Sequence, residues 1–296
     1  MLSVTLLAEP DWRFAHPQAE VLVGVSTSAL LESAWAGVVQ KHFAAHGLPD
    51  PVKIAEALDE VHGVYMSSLK QDGLMLLTGA FDSGKTVEFL RTQGFEPRFL
   101  NRTMILLGDE ADLDIASARM KDDQLRLAAR KGEFTNPLFM RARDMARDYD
   151  CWMVGLMTSV AAEELPAALR EVRSFSYGLN LETESTLKAV LHLRSGEAAD
   201  RLAGLLERFQ KDAGEAGKGL KLSASATSVT AEFTVDQDRL VETLPVLKAS
   251  WGRATAPRVL MAAAATAPIV PVVPARKTVL IFGIDSGTRE HSLSPR

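Results

Sequence analysis

The sequence has one cysteine, Cys151, in 296 residues. That excludes an internal disulfide and any zinc site built on several thiolates, and Cys151 itself reads as a small core residue at the start of a strand. Basic charge is not in excess: the formal net charge is -5. Generic nucleic-acid binding, which needs clustered Lys and Arg to displace counterions, is therefore not expected. Long apolar runs are also lacking. Residues 1–8 are apolar but have neither a basic flank nor a cleavage site, and residues 261–273 contain Pro268 and Pro271. The second run falls short of the roughly 20 residues a membrane helix needs. A cytoplasmic protein with no membrane partner is the expectation. What is present is 47% hydrophobic and 24% charged residues, enough to bury a core without staples.

The chain reads as written twice. Val21-Leu22-Val23-Gly24-Val25-Ser26-Thr27-Ser28 reappears as Trp152-Met153-Val154-Gly155-Leu156-Met157-Thr158-Ser159, an apolar run ending in residues that cap a helix. This alignment sets Gly24 against Gly155. A helix follows over 29–45, with a shorter counterpart over 160–170. Two strands come next in each half, at 61–69 and 74–81, then at 174–181 and 187–193. Helices at 85–93 and 197–211 follow them. The second half closes with alternating strands at 220–226 and 229–235 and a helix carrying Leu240, Leu244, Leu247 and Trp251. The first closes with a strand at 103–107 and a helix at 112–120. The order contains the split β-α-β pattern of ferredoxin-like folds. The expected fold is α+β: two tandem related lobes, each a mainly antiparallel sheet with helices on one face, plus a linker and a C-terminal strand. The expected limits are 1–120 for the first repeat, 121–147 for a helical connector and 148–252 for the second repeat. A linker over 253–275 and a docking segment over 276–296 follow.

In the connector, Arg126, Arg130, Lys131, Arg141, Arg143 and Arg147 mix with Asp122, Asp123, Glu133 and Asp144, the pattern of a solvated helix face. Asn136-Pro137 marks a helix start. The linker is Ala, Pro and Val with almost no charge. Beyond it, Val279, Ile281 and Phe282 sit in a β-prone stretch that cannot fold alone and must pair with something. The tail, residues 278–284 followed by Asp285-Ser286-Gly287-Thr288-Arg289-Glu290, resembles the tails of uncharacterised bacterial two-repeat α+β proteins. That resemblance covers the tail and the two-half layout, and it implies no activity.

One motif invites chemistry. Gly79-Ala80-Phe81-Asp82-Ser83-Gly84-Lys85-Thr86 matches G-x-x-x-x-G-K-[ST] between an apolar strand and a helix, and resembles the Walker A loop of P-loop NTPases. Gly79, Gly84, Lys85 and Thr86 would then cradle ATP phosphates and magnesium. The stretch ending in Asp109-Glu110 loosely resembles the acidic strand of those proteins. The second half serves as an internal control: Ser195-Gly196-Glu197-Ala198 keeps the Ser-Gly turn and loses the lysine and threonine. A capped turn explains what the halves share, so no cofactor is expected, with ATP and magnesium as the alternative. His42 and His46 lie one helical turn apart but lack a third ligand, and Asp109, Glu110, Asp112 and Asp114 suit a helix N-terminus. No metal site and no catalytic grouping stands out. The non-core face of the second half is rich in small polar groups, whereas the strands at 74–77 and 104–107 are apolar on both faces. The sequence thus points to a non-enzymatic binding or scaffolding protein. Its tethered strand docks on itself or on a protein partner, and P-loop-type nucleotide binding is the alternative.

Overall fold

A computed structural model describes residues 11–37, 59–69, 72–131, 133, 136–157, 169–182, 184–236, 243, 245–247 and 249–250. The expected linker, the tail with Val279, Ile281 and Phe282, and the pair His42 and His46 lie outside the described residues.

The fold is α+β around one large antiparallel sheet. Ten strands lie in the order β4-β5-β3-β2-β1-β6-β7-β8-β10-β9. At its centre β1 (Val21–Ser26) pairs with β6 (Cys151–Leu156), with Leu22 opposite Val154 and Gly24 opposite Trp152. Ser26 N–H donates to the Asp150 carbonyl at one end of this seam, and Leu156 N–H to the Glu20 carbonyl at the other. Outward from β1 come β2 (Val61–Leu69), β3 (Asp72–Gly79), β5 (Met104–Leu107) and the edge strand β4 (Arg98–Asn101). Outward from β6 come β7 (Val172–Asn180), β8 (Glu184–Leu193), β10 (Ser228–Asp236) and the edge strand β9 (Leu220–Ser225).

Two expectations differ from this pairing. All nine ladders are antiparallel and β1, β2 and β3 are consecutive neighbours. The described residues therefore contain no split β-α-β crossover of the ferredoxin-like kind. The halves also share one sheet instead of forming separate lobes. The reason lies in β1 and β6, which are apolar on both faces and would each expose an unpaired ladder edge in a separate lobe; pairing with each other removes both edges.

Helices cover both faces of the first half. On one face, α3 (Glu110–Lys121), α5 (Pro137–Asp148) and a 3-10 turn at Trp12–Phe14 pack on Leu22, Tyr65, Leu76, Leu106, Trp152 and Val154. Trp12 is the hub, its ring 5.6 Å from Trp152 and 6.0 Å from Phe139. On the opposite face, α2 (Lys85–Thr92) sets Val87 and Leu90 on Leu77, Ile105 and Leu107. In the second half α6 (Gly196–Ala213) sets Leu202, Leu205 and Leu206 on Phe175, Leu191 and Val229. The short α1 (Thr27–Glu32) follows β1, capped by Ser26 Oγ, which accepts from Ala29 N–H. The exposed α4 (Asp123–Lys131) precedes α5. The Asn136-Pro137 start of α5 forms as expected, Asn136 Oδ1 accepting from Leu138 N–H. Among the described residues no helix is long and apolar enough to cross a membrane.

The alignment of Gly24 with Gly155 is one residue out. Gly24 shares its face with Leu22, Trp152 and Val154, whereas Gly155 lies opposite Val21 on the α6 side. Side chains alternate along a strand, so a one-residue slip exchanges the faces.

Candidate functional site

Gly79, Gly84, Lys85 and Thr86 come together in the turn from β3 to α2, and a residue from elsewhere organises that turn. Glu60 sits directly before β2, beside the end of β3. Its Oε1 accepts from Ser83 N–H at 2.8 Å, and its Oε2 accepts from Thr86 N–H at 3.1 Å and Thr86 Oγ1–H at 2.9 Å. Burial by itself would raise the carboxyl's pKa, but these bonds from Ser83 and Thr86 outweigh it and hold it at about 2. The carboxylate thus occupies the place at the helix N-terminus that a bound phosphate would take.

Both glycines are explained by that arrangement. Gly84 has φ 76° and turns the chain into α2. Gly79 lets the backbones close, since a Cβ there would lie 1.9 Å from the Glu60 carbonyl oxygen. That carbonyl accepts from Ala80 N–H at 2.9 Å. Lys85 is exposed, and Ser83 Oγ accepts from its backbone N–H at 3.3 Å. The acidic pair Asp109-Glu110 is remote. β5 runs antiparallel to β3, with Met104 beside Thr78 and Leu107 beside Met75, so Asp109 emerges at the Gly73 end of β3. Six residues of strand, on the order of 20 Å, separate that end from Gly79.

Sequence reasoning missed Glu60, because a lone glutamate before a strand carries no pattern that ties it to a helix start 26 positions away. Glu171 stands in the same place before β7, and its carbonyl accepts from Arg194 N–H at 3.0 Å. Its carboxylate pairs with Arg201 of α6, while Ser195 Oγ caps that helix by accepting from Ala198 N–H at 3.2 Å. The two halves thus place a glutamate alike and use it differently.

The polar face of the second half forms as its alternation requires. Ser174, Ser176, Lys188, His192, Thr230 and Glu232 share one side by register. α5 meets this face at its inner margin, where Arg141 Nη1 donates to Ser174 Oγ at 3.2 Å. Burial and then the Arg141 charge lower the pKa of His192. Among the described residues no strand pairs with the outer side of β4 or of β9, so the sheet is open at both ends. Nor does any group of three His, Cys, Asp or Glu side chains among them stand ready to hold a metal ion.

No protein-family model matches the sequence, and no curated protein does so. Solved structures are similar in fold. Crystal form III of TP0453 aligns with a TM-score of 0.52 at 9% identity, over 80% of this chain and 98% of that one. Crystal form I aligns with a TM-score of 0.50 at 10% identity, over 81% and 99%. The chain is similar to TP0453 in architecture, at an identity that speaks of the fold alone.

Proposed function

We propose that this chain is a non-enzymatic binding or scaffolding protein built from two copies of one β-rich unit. Its C-terminal segment, through Val279, Ile281 and Phe282, adds as a strand to an open sheet edge of the same chain or of a second copy. The observation that carries the reading is the open ten-stranded sheet, with β4 and β9 unpartnered on their outer sides among the described residues. Such edges are templates for strand addition, in which main-chain bonds supply affinity and alternate side chains supply specificity. The six-residue β9 offers the longer ladder, against four residues in β4.

Several matched details support the two-copy origin. β1 and β6 each have six residues, and β2 and β7 each have nine. The ladder register shifts between Val61 and Gly63 in β2, and between Val172 and Ser174 in β7. Gly79 N–H donates to the Thr103 carbonyl, as Leu193 N–H does to that of Thr227. Each half runs outward as a three-strand meander, then crosses over to an edge strand that returns one place inward. The ferredoxin-like label survives only as helices laid over an antiparallel sheet.

Nucleotide binding at Gly79, Gly84, Lys85 and Thr86 has two observations against it: the Glu60 carboxylate in the phosphate position, and the remoteness of Asp109. Hydrogen exchange across residues 279–284 tests the docking. Slow exchange in the intact protein is expected, becoming fast when Val279 and Ile281 are both changed to Asp. Fast exchange at every protein concentration and in cell extract would leave the segment without a docking role. Magnesium-dependent ATP binding abolished by Lys85→Ala would favour the nucleotide reading instead.

A further inference from the structure

The two sheet edges differ in what they offer a second folded chain. β4 has four residues, Pro97 precedes it, and its ladder shifts register between Phe99 and Asn101. A flexible strand can follow such a break, but the rigid edge of another sheet cannot. β9 runs six residues with no proline and no shift in its ladder to β10. Its Lys221, Ser223, Ala224 and Ser225 are exposed. Ala226 and Thr227 form a two-residue turn between Ser225 and Ser228, which makes those flanking residues a hydrogen-bonded pair. At the other end Thr234 N–H donates to the Gly219 carbonyl at 3.2 Å, in the same phase. Hydrogen-bonded residues alternate along an antiparallel ladder, so Lys221, Ser223 and Ser225 turn their backbone groups to β10. Leu220, Leu222 and Ala224 turn theirs to the free edge. The Leu220 carbonyl accepts from Gln210 Nε2 at 2.6 Å and keeps a second lone pair.

We propose that β9 pairs antiparallel with β9 of a second copy of this chain, about a two-fold axis at Leu222 that joins the two sheets into one. Only an axis perpendicular to the sheet keeps apolar faces together, and it sets a residue opposite its own copy. Centred on Leu222, every outward residue meets an outward residue: Leu222 meets Leu222, and Leu220 meets Ala224 of the second copy. These three also share the apolar face that α6 covers. Lys221, the residue that would guard this edge, lies opposite Ser223 of the second copy and not opposite its own kind. Its Nζ is 3.5 Å from Glu232 Oε1 in its own sheet, which offsets its charge. Charges on the helices agree with the axis. α6 begins beside Ala226 and reaches Leu220 at Gln210, so the axis runs it antiparallel to its copy. The acidic first turn with Glu197 then comes level with the basic last turn with Lys211 of the second copy. The pairing leaves β4 free for the C-terminal segment, so it goes beyond that reading and fails separately from it.

Sedimentation equilibrium of the full chain from about 1 μM to about 1 mM tests this, and a reversible monomer–dimer equilibrium is expected. Ala224→Pro removes an N–H that the β10 ladder does not use, so it spares the body and raises the dimer dissociation constant by about tenfold or more. Should that variant fail to fold by circular dichroism, Leu222→Lys carries the same expectation, because it sets like charges directly opposite at the axis. Register is read by mild oxidation. Leu222→Cys is expected to cross-link the dimer, since facing Cα atoms of a hydrogen-bonded pair lie about 5.5 Å apart. Ser225→Cys is not, its copy lying on the order of 20 Å away along the strand. A monomer at every concentration overturns the proposal, as does a cross-link at Ser225→Cys without one at Leu222→Cys. A dimer unchanged in the folded β9 variants and lost when Val279 and Ile281 are both changed to Asp also overturns it, and assigns association to the C-terminal segment.

Discussion

Glu60 shows how one side chain can mimic a ligand. The sequence around 79–86 matches a phosphate loop because both structures solve the same problem: N–H groups at a helix start need an anion or an acceptor. Here the acceptor is Glu60, which binds Ser83 and Thr86. Its pKa lies below the ordinary 4.5, at about 2. A depressed carboxyl contributes stability that is complete above its unfolded pKa and lost as pH falls through its folded one. Glu60→Gln is therefore expected to be less stable than the parent by about 1–2 kcal/mol at neutral pH, a normal cost for a lost charged cap. The gap should close between pH 4.5 and about 2. Urea unfolding at a series of pH values measures both, and parallel pH profiles would show that the carboxylate does not hold the turn. Lys85 is exposed and serves no such role, so Lys85→Ala should change stability by less than about 0.5 kcal/mol in the same assay.

Among the elements, the 3-10 turn and α3 hold each other by a reciprocal pair of arginines. Arg13 Nη1 donates to the Met120 carbonyl at 2.7 Å, supplying a donor to a last-turn carbonyl of α3. Arg119 of α3 donates back to the Arg13 and Phe14 carbonyls, and Asp11 orients Arg13 through an ion pair of 2.6 Å. Hydrogen bonds from charged donors contribute more than neutral ones, so Arg13→Ala should cost about 1.5–3 kcal/mol in thermal or urea unfolding. A loss within the ordinary surface range would mean that Trp12 and Phe14 hold the turn by packing alone. The helix and strand positions were largely legible from periodicity, as with α6, whose buried Leu202, Leu205 and Leu206 repeat at helical spacing. The strand β4 was missed because four residues with polar Arg98 and Asn101 at its ends carry too little pattern.

For the whole molecule, the halves are tied in three ways. β1 pairs with β6, the cluster around Trp12 mixes residues of both, and Trp35 Nε1 donates to Ser185 Oγ at 2.9 Å. Neither half can unfold without stripping the other of a ladder and of core surface. Scanning calorimetry should accordingly give one transition for the body, with equal calorimetric and van't Hoff enthalpies. Two resolved transitions, the second matching an isolated fragment of residues 136–255, would show that the seam does not couple the halves. The same seam makes Gly24→Ala informative. A Cβ there would lie 2.5 Å from the Trp152 ring, so a loss of about 1–3 kcal/mol is expected from overpacking.

By itself the sequence determined what depends on near neighbours: the alternation of β7, β8, β9 and β10, the helical stripe of α6 and the Asn136 cap. It also located the polar face of the second half, because period two assigns faces within each strand. Only the tertiary structure decided what depends on partners distant in the chain. Alternation says which residues share a face but not which strand lies alongside. The joining of β1 to β6, and the one-residue slip that parts Gly24 from Gly155, therefore had to be settled by packing. The acceptor at the start of α2 was hidden for the same reason, since Glu60 lies 26 positions from Thr86 in the chain and is brought to it by the β2–β3 ladder.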